Sequence, residues 1–346
     1  MKLTRIGVDV AKNVFQLHGV DRSGNTVWKR RLSRGKWIQA IVDVASTDCV
    51  IGIEACGGAH HWARTLMARG YAVRLLAPQF VKPYVKSNKN DANDAEAICE
   101  AMSRPGMRFV TVKSTEQQDL LAPPRVRSGW LRERTALINR LRGLVMEYGL
   151  VAPQSPFALK QAIPDWLEDA DNGLSDRFRS VLHGLWQDLL QLDRRIQSMD
   201  KQLAAIAAAD PVMNRLQQLR GIGPLTATAF WATVGTASQF GKGKQLAASL
   251  GLTPKQHSSG NKDRLLGISK WGDTYLRTLL IHGARAVLSQ AKRRDDPLSR
   301  WVTDLANAKH PNVAAVALAN KTARIAWAML HNDMNYDPAL ASMALT

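Results

Sequence analysis

Asp91 and Asp94 lie three residues apart in the run Ser87-Asn-Lys-Asn-Asp-Ala-Asn-Asp-Ala-Glu-Ala97, and residues 95–102 favour a helix. Residues at that spacing share a helix face, so both carboxylates point the same way. Two like charges so close repel unless a cation lies between them or one is protonated. A divalent cation is the usual solution, and Mg²⁺ prefers carboxylate oxygens. The plainer alternative is a helix cap, because Asp is also favoured at the N-cap and in the first turn. The choice turns on whether other acids converge on the same place. Asp9 ends the apolar run of a first strand, and Glu54 ends that of a later one, followed by Ala55-Cys-Gly-Gly58. Each alone reads as a strand-end residue in solvent. Unpaired buried carboxylates are expensive, and a single metal site shared by Asp9, Glu54, Asp91 and Asp94 resolves all four.

The elements that must position these acids are readable in outline. Residues 4–10, 14–20 and 26–32 are β-rich runs, and Asp21-Arg-Ser-Gly-Asn25 is a turn cluster between the last two. A helical stretch at 37–44, a compact strand at 49–54, a helix near 60–69 and a strand at 72–76 precede the Asp91 helix. Hairpin-linked strands are antiparallel and helix-linked ones parallel, which predicts an α/β mixed sheet with helices on its faces. This order resembles that of ribonuclease H-like sheets, in which the first strand lies beside the fourth. Residues 1–120 are the expected catalytic domain.

The chain carries a net charge of +18 over 346 residues. Its expected partner is therefore an acidic polymer, nucleic acid first. Cys49, Cys56 and Cys99 form no Cys-x-x-Cys pair and no disulfide framework, so they read as thiols in a reducing cytoplasm. The chain opens on a strand pattern with no signal-peptide signature, and no apolar run approaches the ~20 residues that span a bilayer. The expectation is a soluble cytoplasmic protein with no membrane partner.

Residues 125–209 are expected to form an antiparallel helical hairpin. Its first arm places Arg127, Arg132, Arg134, Arg140 and Arg142 around Leu131, Ile138, Leu141, Val145 and Tyr148. Arginine so outnumbers acid there that a phosphate-tracking helix is favoured over a merely solvated face. Pro123-Pro124 predicts a break just before it. In the second arm Leu182, Leu185, Leu189, Leu192, Ile196, Met199, Leu203 and Ile206 alternate spacings of three and four. That seam suits either a core stripe within one chain or a self-associating coiled coil.

Residues 210–346 read as a mainly α domain. Leu219-Arg-Gly-Ile-Gly-Pro-Leu is a helix–Gly-x-Gly–helix word. There Gly221 and Gly223 would expose backbone N–H groups to a phosphate, as in a helix-hairpin-helix, or simply allow a tight αα-turn. Lys255, Lys262, Arg264 and Lys270 lie in a Gly- and Ser-rich passage suited to wrapping a phosphate backbone. Ser258 and Ser259 sit within it, and residue chemistry alone does not separate them.

Several words in the chain resemble one family. Gly7-Val-Asp-Val-Ala-Lys12, Ile53-Glu-Ala-Cys-Gly57 and Lys89-Asn-Asp-Ala-Asn-Asp-Ala-Glu96 are similar to those of IS110-family insertion-sequence transposases, specifically the IS1111 group. Asp9, Glu54, Asp91 and Asp94 resemble the Asp-Glu-Asp-Asp set of RuvC-like nucleases. The passage from Phe240 to Arg277 is similar to the group's pattern in which the serine before a glycine is the nucleophile, which places that role on Ser259. Two departures stand out: Arg220 replaces the proline of Pro-Gly-Ile-Gly, which should leave the turn intact, and Pro123-Pro124 interrupts a normally helical part.

The resemblance implies a DNA transposase acting through a phosphoseryl–DNA link with Mg²⁺ (or Mn²⁺). It also implies an element-encoded guide RNA and a homo-oligomer, dimer or tetramer. His257 and Lys262 are candidates for transition-state contacts. The competing readings are a junction or repair nuclease that uses water and does not need Ser259, and a non-catalytic DNA-binding protein with vestigial acids. An actin-like ATP-binding fold lacks its Gly-rich phosphate loops near Asp9 and Glu54.

Overall fold

The computed structural model describes residues 2–86, 91–259 and 264–338. The chain divides into two compact units, Met1–Glu116 and Gln117–Thr346. In the first, β1 (Arg5–Val10), β2 (Val14–Val20) and β3 (Thr26–Ser33) form an antiparallel meander. Helix α1 (Trp37–Val44) leads to β4 (Val50–Glu54), and α2 (Ala59–Met67) leads to β5 (Ala72–Leu76). Both helix crossovers give parallel pairing, β1 with β4 and β4 with β5. The sheet order is β3-β2-β1-β4-β5-β6, where β6 (Phe109–Val110) is a two-residue antiparallel strand at the far edge. That edge strand was not anticipated. Its side chains contribute too short a pattern to read, and its pairing is made by β5.

Period-two alternation separates the two faces. Ile6, Val8 and Val10 join Phe15, Leu17, Ile51 and Ile53 on one face, packed against α1 and α2. Phe15, Trp37 and Trp62 meet there with ring centroids 4.9–5.5 Å apart. The other face carries Gly7 and Asp9 on β1, and Gly52 and Glu54 on β4. It is covered by α4 (Asp91–Ala101), which follows the one-turn helix α3 (Pro78–Val81).

The second unit is helical. The long helices α5 (Thr115–Met146) and α7 (Asp176–Ala209) flank α6 (Pro156–Glu168), and Leu137, Leu141, Val145, Leu159, Ile163, Leu182 and Leu189 share one core. On α7 the buried positions Leu182, Leu189, Ile196 and Leu203 recur every seven residues, while Leu185 and Leu192 are half-buried against α5 and α6. At least part of the seam is thus filled within the chain.

Contrary to the expected break, α5 runs through Pro123 and Pro124. Neither proline can donate to the carbonyls of Asp119 and Leu120. Asp119 is an exposed residue, Pro124 is itself buried, and the Pro124 carbonyl accepts a hydrogen bond from Tyr275 Oη at 2.9 Å. Burial of the Pro124 ring and the Tyr275 bond compensate for part of what the missing backbone bonds cost.

A second core holds α8 (Pro211–Leu216), α9 (Pro224–Val234), α10 (Gly243–Ser249), α11 (Thr274–Ala291), α12 (Pro297–Ala308) and α13 (Pro311–His331). A hairpin of β7 (Pro254–Gln256) and β8 (Leu265–Ile268) stands between α10 and α11 in the chain.

Candidate metal centre and nucleic-acid surfaces

Two glycines on adjacent strands bring the acids together. Gly7 pairs in register with Gly52. A Cβ at Gly7 would lie 2.2 Å from the Ala95 carbonyl oxygen and 2.6 Å from Cys99 N, and one at Gly52 would lie 2.4 Å from Met102 Sδ. The α4 backbone therefore rests directly on the β1 backbone. This lowers the first turn of α4 onto the end of β1, where Asp9 follows Gly7 on the same face. Asp9, Asp91 and Asp94 each offer a carboxylate oxygen, and all three lie within 4.8 Å of one another. Glu54 lies on the next strand, one step beyond the Val8–Ile53 pair, but outside that group of three. Both Glu54 and Asp9 act on the Cys56 thiol, whose pKa is raised first by burial and then by these two negative charges. Lys89 and the other residues of 87–90 lie outside the described residues.

Three acidic oxygens in so small a space are mutually repulsive without a cation. A hard divalent ion with oxygen ligands suits this donor set. Gly7→Val is expected to push α4 off the sheet. It should lower the melting midpoint by several degrees and abolish metal-dependent activity, because the Ala95 and Cys99 backbone cannot yield as a flexible side chain would. A circular-dichroism melt checks the first effect. A midpoint within one degree of wild type would contradict the close packing.

The register also exposes residues that sequence reading passed over. Asp9 pairs with Gln16, and Gln16 with Arg31. One step along, Gly7, His18 and Lys29 form a parallel row. The row nearer the acids thus runs from carboxylate through amide to an exposed guanidinium on one sheet face. His18 is buried, and its Nδ1 lies 3.8 Å from Glu96 Oε2. Burial and the neighbouring Lys29 push its pKa down. Only the meander's alternation could have signalled these positions.

The arginines predicted on α5 have divided roles. Arg127 makes a two-point pair with Asp200, including Nη2 to Oδ2 at 3.1 Å. Arg134 Nε donates to Asp193 Oδ1 at 2.5 Å, and Lys160 holds the other oxygen at 2.5 Å. Arg142 donates to the carbonyls of Ala152, Pro153 and Ser155 at 2.6–3.1 Å. These three tie α5 to α7 and to the connector before α6. Arg132 and Arg140 remain exposed.

At the Gly-x-Gly word, Gly221 has φ +87° and Gly223 is the N-cap of α9. A Cβ on Gly283 of α11 would lie 1.9 Å from the Gly221 carbonyl oxygen, so turn and helix touch through backbone. Arg220 does not disturb this turn. Its Nη1 and Nη2 donate to Asp296 at 3.0 and 2.5 Å, and Nη1 also donates to Ser299 Oγ at 3.0 Å. Burial pushes the Asp296 carboxyl up, but hydrogen bonds from Arg220, the Ser299 hydroxyl and the Ser299 N–H outweigh it and hold it at about 2. A depressed carboxylate pKa stabilises the fold above the unfolded value near 3.8 and loses that contribution as pH falls toward 2. With Asp296 over a third exposed, solvent screening reduces the effect to about 1 kcal/mol. Asp296→Asn should therefore melt below wild type at pH 7 and converge with it near pH 2. Parallel curves at all pH values would refute the linkage.

The serine passage is a hairpin with a rigid base. A Cβ on Gly272 would lie 1.7 Å from the Ser249 carbonyl oxygen, and one on Gly251 would lie 2.3 Å from that of Trp271. Buried Arg277 donates to the carbonyls of Leu250 and Trp271 at 2.9 and 3.0 Å. Beyond the His257 N–H to Arg264 carbonyl bond (3.0 Å), Ser258 and Ser259 are both exposed. The Ser258 hydroxyl accepts from Gln256 Nε2 at 2.8 Å. Lys255, Arg264 and Lys270 are exposed along the same hairpin. Lys262 lies outside the described residues.

A mixed sheet in this order, carrying an acidic cluster at the end of its first strand, is consistent with a nuclease-like catalytic domain. The comparison with known proteins agrees. A family profile described as transposase, of the DEDD IS110 type, matches residues 6–149, and one described as the transposase IS116/IS110/IS902 family matches residues 213–298. The chain is 49% identical to a Pseudomonas aeruginosa protein named "Probable family 20 transposase", over 98% of this chain and 100% of that one. It is 47% identical to the transposase for insertion sequence element IS1111A of Coxiella burnetii (96% and 90% covered). It is 38% identical to the transposase for insertion sequence element IS1328 of Yersinia enterocolitica (94% and 96%). The chain belongs to the IS110/IS116/IS902 family of transposases, and it is a DNA transposase of an insertion sequence. DNA is accordingly its partner. Among the described residues no helix is long and apolar enough to cross a membrane.

Proposed function

We propose that the chain cuts and rejoins DNA in the bacterial cytoplasm through a Mg²⁺ (or Mn²⁺) site held by Asp9, Asp91 and Asp94, with Glu54 completing it from β4, and that Ser259 is the nucleophile. The convergence of Asp9 with Asp91 and Asp94 within 4.8 Å is the observation that carries this reading. When bound, the cation would supply Lewis-acid stabilisation of charge developing on the phosphate oxygens and would lower the pKa of the attacking hydroxyl. Ser259 Oγ attacks the scissile phosphorus and forms a phosphoseryl ester as the P–O bond to one deoxyribose oxygen breaks; the serine proton is given up to solvent, and the leaving oxygen takes one up to become a DNA hydroxyl. The phosphodiester energy is kept, so a second strand's hydroxyl can reverse the step. Ser259 is preferred over Ser258 because the family resemblance places the nucleophile on the serine directly before the glycine, and both hydroxyls are on exposed residues of the hairpin.

Arg132, Arg140, Lys255, Arg264 and Lys270 are exposed and can neutralise phosphates. Arg127, Arg134 and Arg142 would act mainly by holding the arms together. Gly221 and Gly223 offer backbone N–H groups at α9, as a helix-hairpin-helix would. Lys262 keeps its proposed phosphate contact on sequence grounds alone. A guide RNA, and a dimer or tetramer partly built on the α7 seam, belong to the same proposal and follow from the family resemblance.

Mn²⁺ titration followed by electron paramagnetic resonance tests the metal site independently of activity. Wild type should bind Mn²⁺, and Asp94→Ala should weaken that binding at least tenfold, about 1.4 kcal/mol. Equal binding by both proteins would remove the assignment.

A further inference from the structure

The second unit contains a cleft of about 670 Å³ whose lining residues carry no role assigned above. It lies between α13, the start of α10, Trp301 of α12 and residues 332–337. Close packing builds it. A Cβ on Gly243 would lie 3.1 Å from both Cα and the carbonyl oxygen of Arg324, so the 242–244 segment lies against the α13 backbone. Trp327 Nε1 donates to the Phe240 carbonyl at 2.8 Å, and Asn320 Nδ2 donates to that of Leu252 at 3.1 Å, fixing two further walls.

The chemistry of the lining is selective. Trp301, Trp327 and Tyr336 supply aromatic surface, while Lys242, Lys244, Lys321 and Arg324 supply four cations against one acid, Asp337. Lys321 is the telling residue. It is 7% exposed and makes no hydrogen bond or ion pair among the described residues; its ammonium lies 5.5 Å from the Trp301 ring centroid. A buried cation without an anion is costly, and the neighbouring Arg324 adds to the positive potential. The volume falls within the range of ligand sites. Free phosphate would leave the aromatic walls unused, and a paired duplex presents no exposed base face to them. An unpaired nucleotide uses both, its base stacked on the rings and its phosphate on the cations.

We propose that this cleft takes one unpaired nucleotide of a single-stranded DNA or RNA segment, with the base against Trp301, Trp327 and Tyr336 and the phosphate on Lys321 and Arg324. The proposal rests on the reading of the chain as a nucleic-acid enzyme. It does not rest on the carboxylate site or Ser259.

The test is photo-crosslinking of the full-length protein to short oligonucleotides containing one 5-iodouracil, as single-stranded DNA, single-stranded RNA and blunt duplex DNA. Adducts are mapped by peptide mass spectrometry. Single strands should label peptides bearing Trp301, Trp327 or Tyr336, and the duplex should not. Lys321→Met and the surface change Arg324→Gln should each reduce the yield about tenfold, or about 1.4 kcal/mol. If Lys321→Met fails to fold in a melting control, Arg324→Gln and Lys244→Gln decide. Preference for one single-stranded arm identifies the sugar and supports the proposal. Adducts confined to other peptides, or unchanged yields in Arg324→Gln, overturn it. Asp9→Ala protein should crosslink like wild type, so a failure of the catalytic assignment and a failure of the cleft remain distinguishable.

Discussion

Asp9→Ala is expected to reduce DNA strand cleavage by at least about 10³-fold while leaving nucleic-acid affinity within about threefold. The loss corresponds to roughly 4 kcal/mol of transition-state stabilisation, the scale found when one preorganised electrostatic partner is removed. Affinity is spared because carboxylates contribute nothing attractive to a polyanion, and the exposed basic residues are untouched. Asp94→Ala should behave alike, since both residues belong to the same group within 4.8 Å. A further consequence separates a metal site from a structural acid cluster. Added Mg²⁺ should raise the wild-type midpoint more than that of either variant. Equal loss of binding and cleavage, or the same Mg²⁺-dependent rise in midpoint for wild type and both variants, would contradict the division of labour.

Ser259→Ala is expected to remove strand transfer altogether, whereas Ser258→Ala should retain most of it. A nucleophile has no substitute: alanine has no oxygen to form the phosphoseryl ester, and the remaining groups cannot hold the phosphodiester energy. Ser258 differs because the family resemblance puts the nucleophile on the serine next to the glycine, and the rigid base at Gly251, Gly272 and Arg277 holds the hairpin in either variant. A transposition assay in cells carrying the flanking element ends reads the difference. Full activity in Ser259→Ala would return the chain to a nuclease that uses water.

Much of the first unit was legible because its signals are local. The runs at 4–10, 14–20 and 49–54 alternate as strands do, and the switch from hairpin to helical connections gives the parallel pairs. Asp9, Asp91 and Asp94 could be singled out because acids interrupt apolar runs or share a helix face. What brings them together was not legible. Gly7 and Gly52 are unremarkable as letters; a Cβ on Gly7 would lie 2.2 Å from the carbonyl oxygen of Ala95, over eighty residues away, and one on Gly52 would lie 2.4 Å from Met102 Sδ.

The same holds for the arginines of α5. Which of them point to solvent depends on the antiparallel register with α7, which sets Arg127 against Asp200 and Arg134 against Asp193. Composition gives only their number. The paired prolines misled for a related reason. The proline rule concerns lost backbone bonds, whereas at Pro124 burial and the Tyr275 hydroxyl decide. The cleft around Lys321 draws on four separate stretches of chain, so no local pattern announces it.

A covalent protein–DNA adduct that survives denaturation would report the serine step directly. Wild type, Asp9→Ala, Ser258→Ala and Ser259→Ala would each be incubated with the element's own flanking DNA, any element-encoded RNA and Mg²⁺, then separated under denaturing conditions. An adduct is expected in wild type and Ser258→Ala, dependent on Mg²⁺, and none in Asp9→Ala or Ser259→Ala. Metal-dependent cleavage that persists in Ser259→Ala and leaves no adduct in any protein would contradict the serine step.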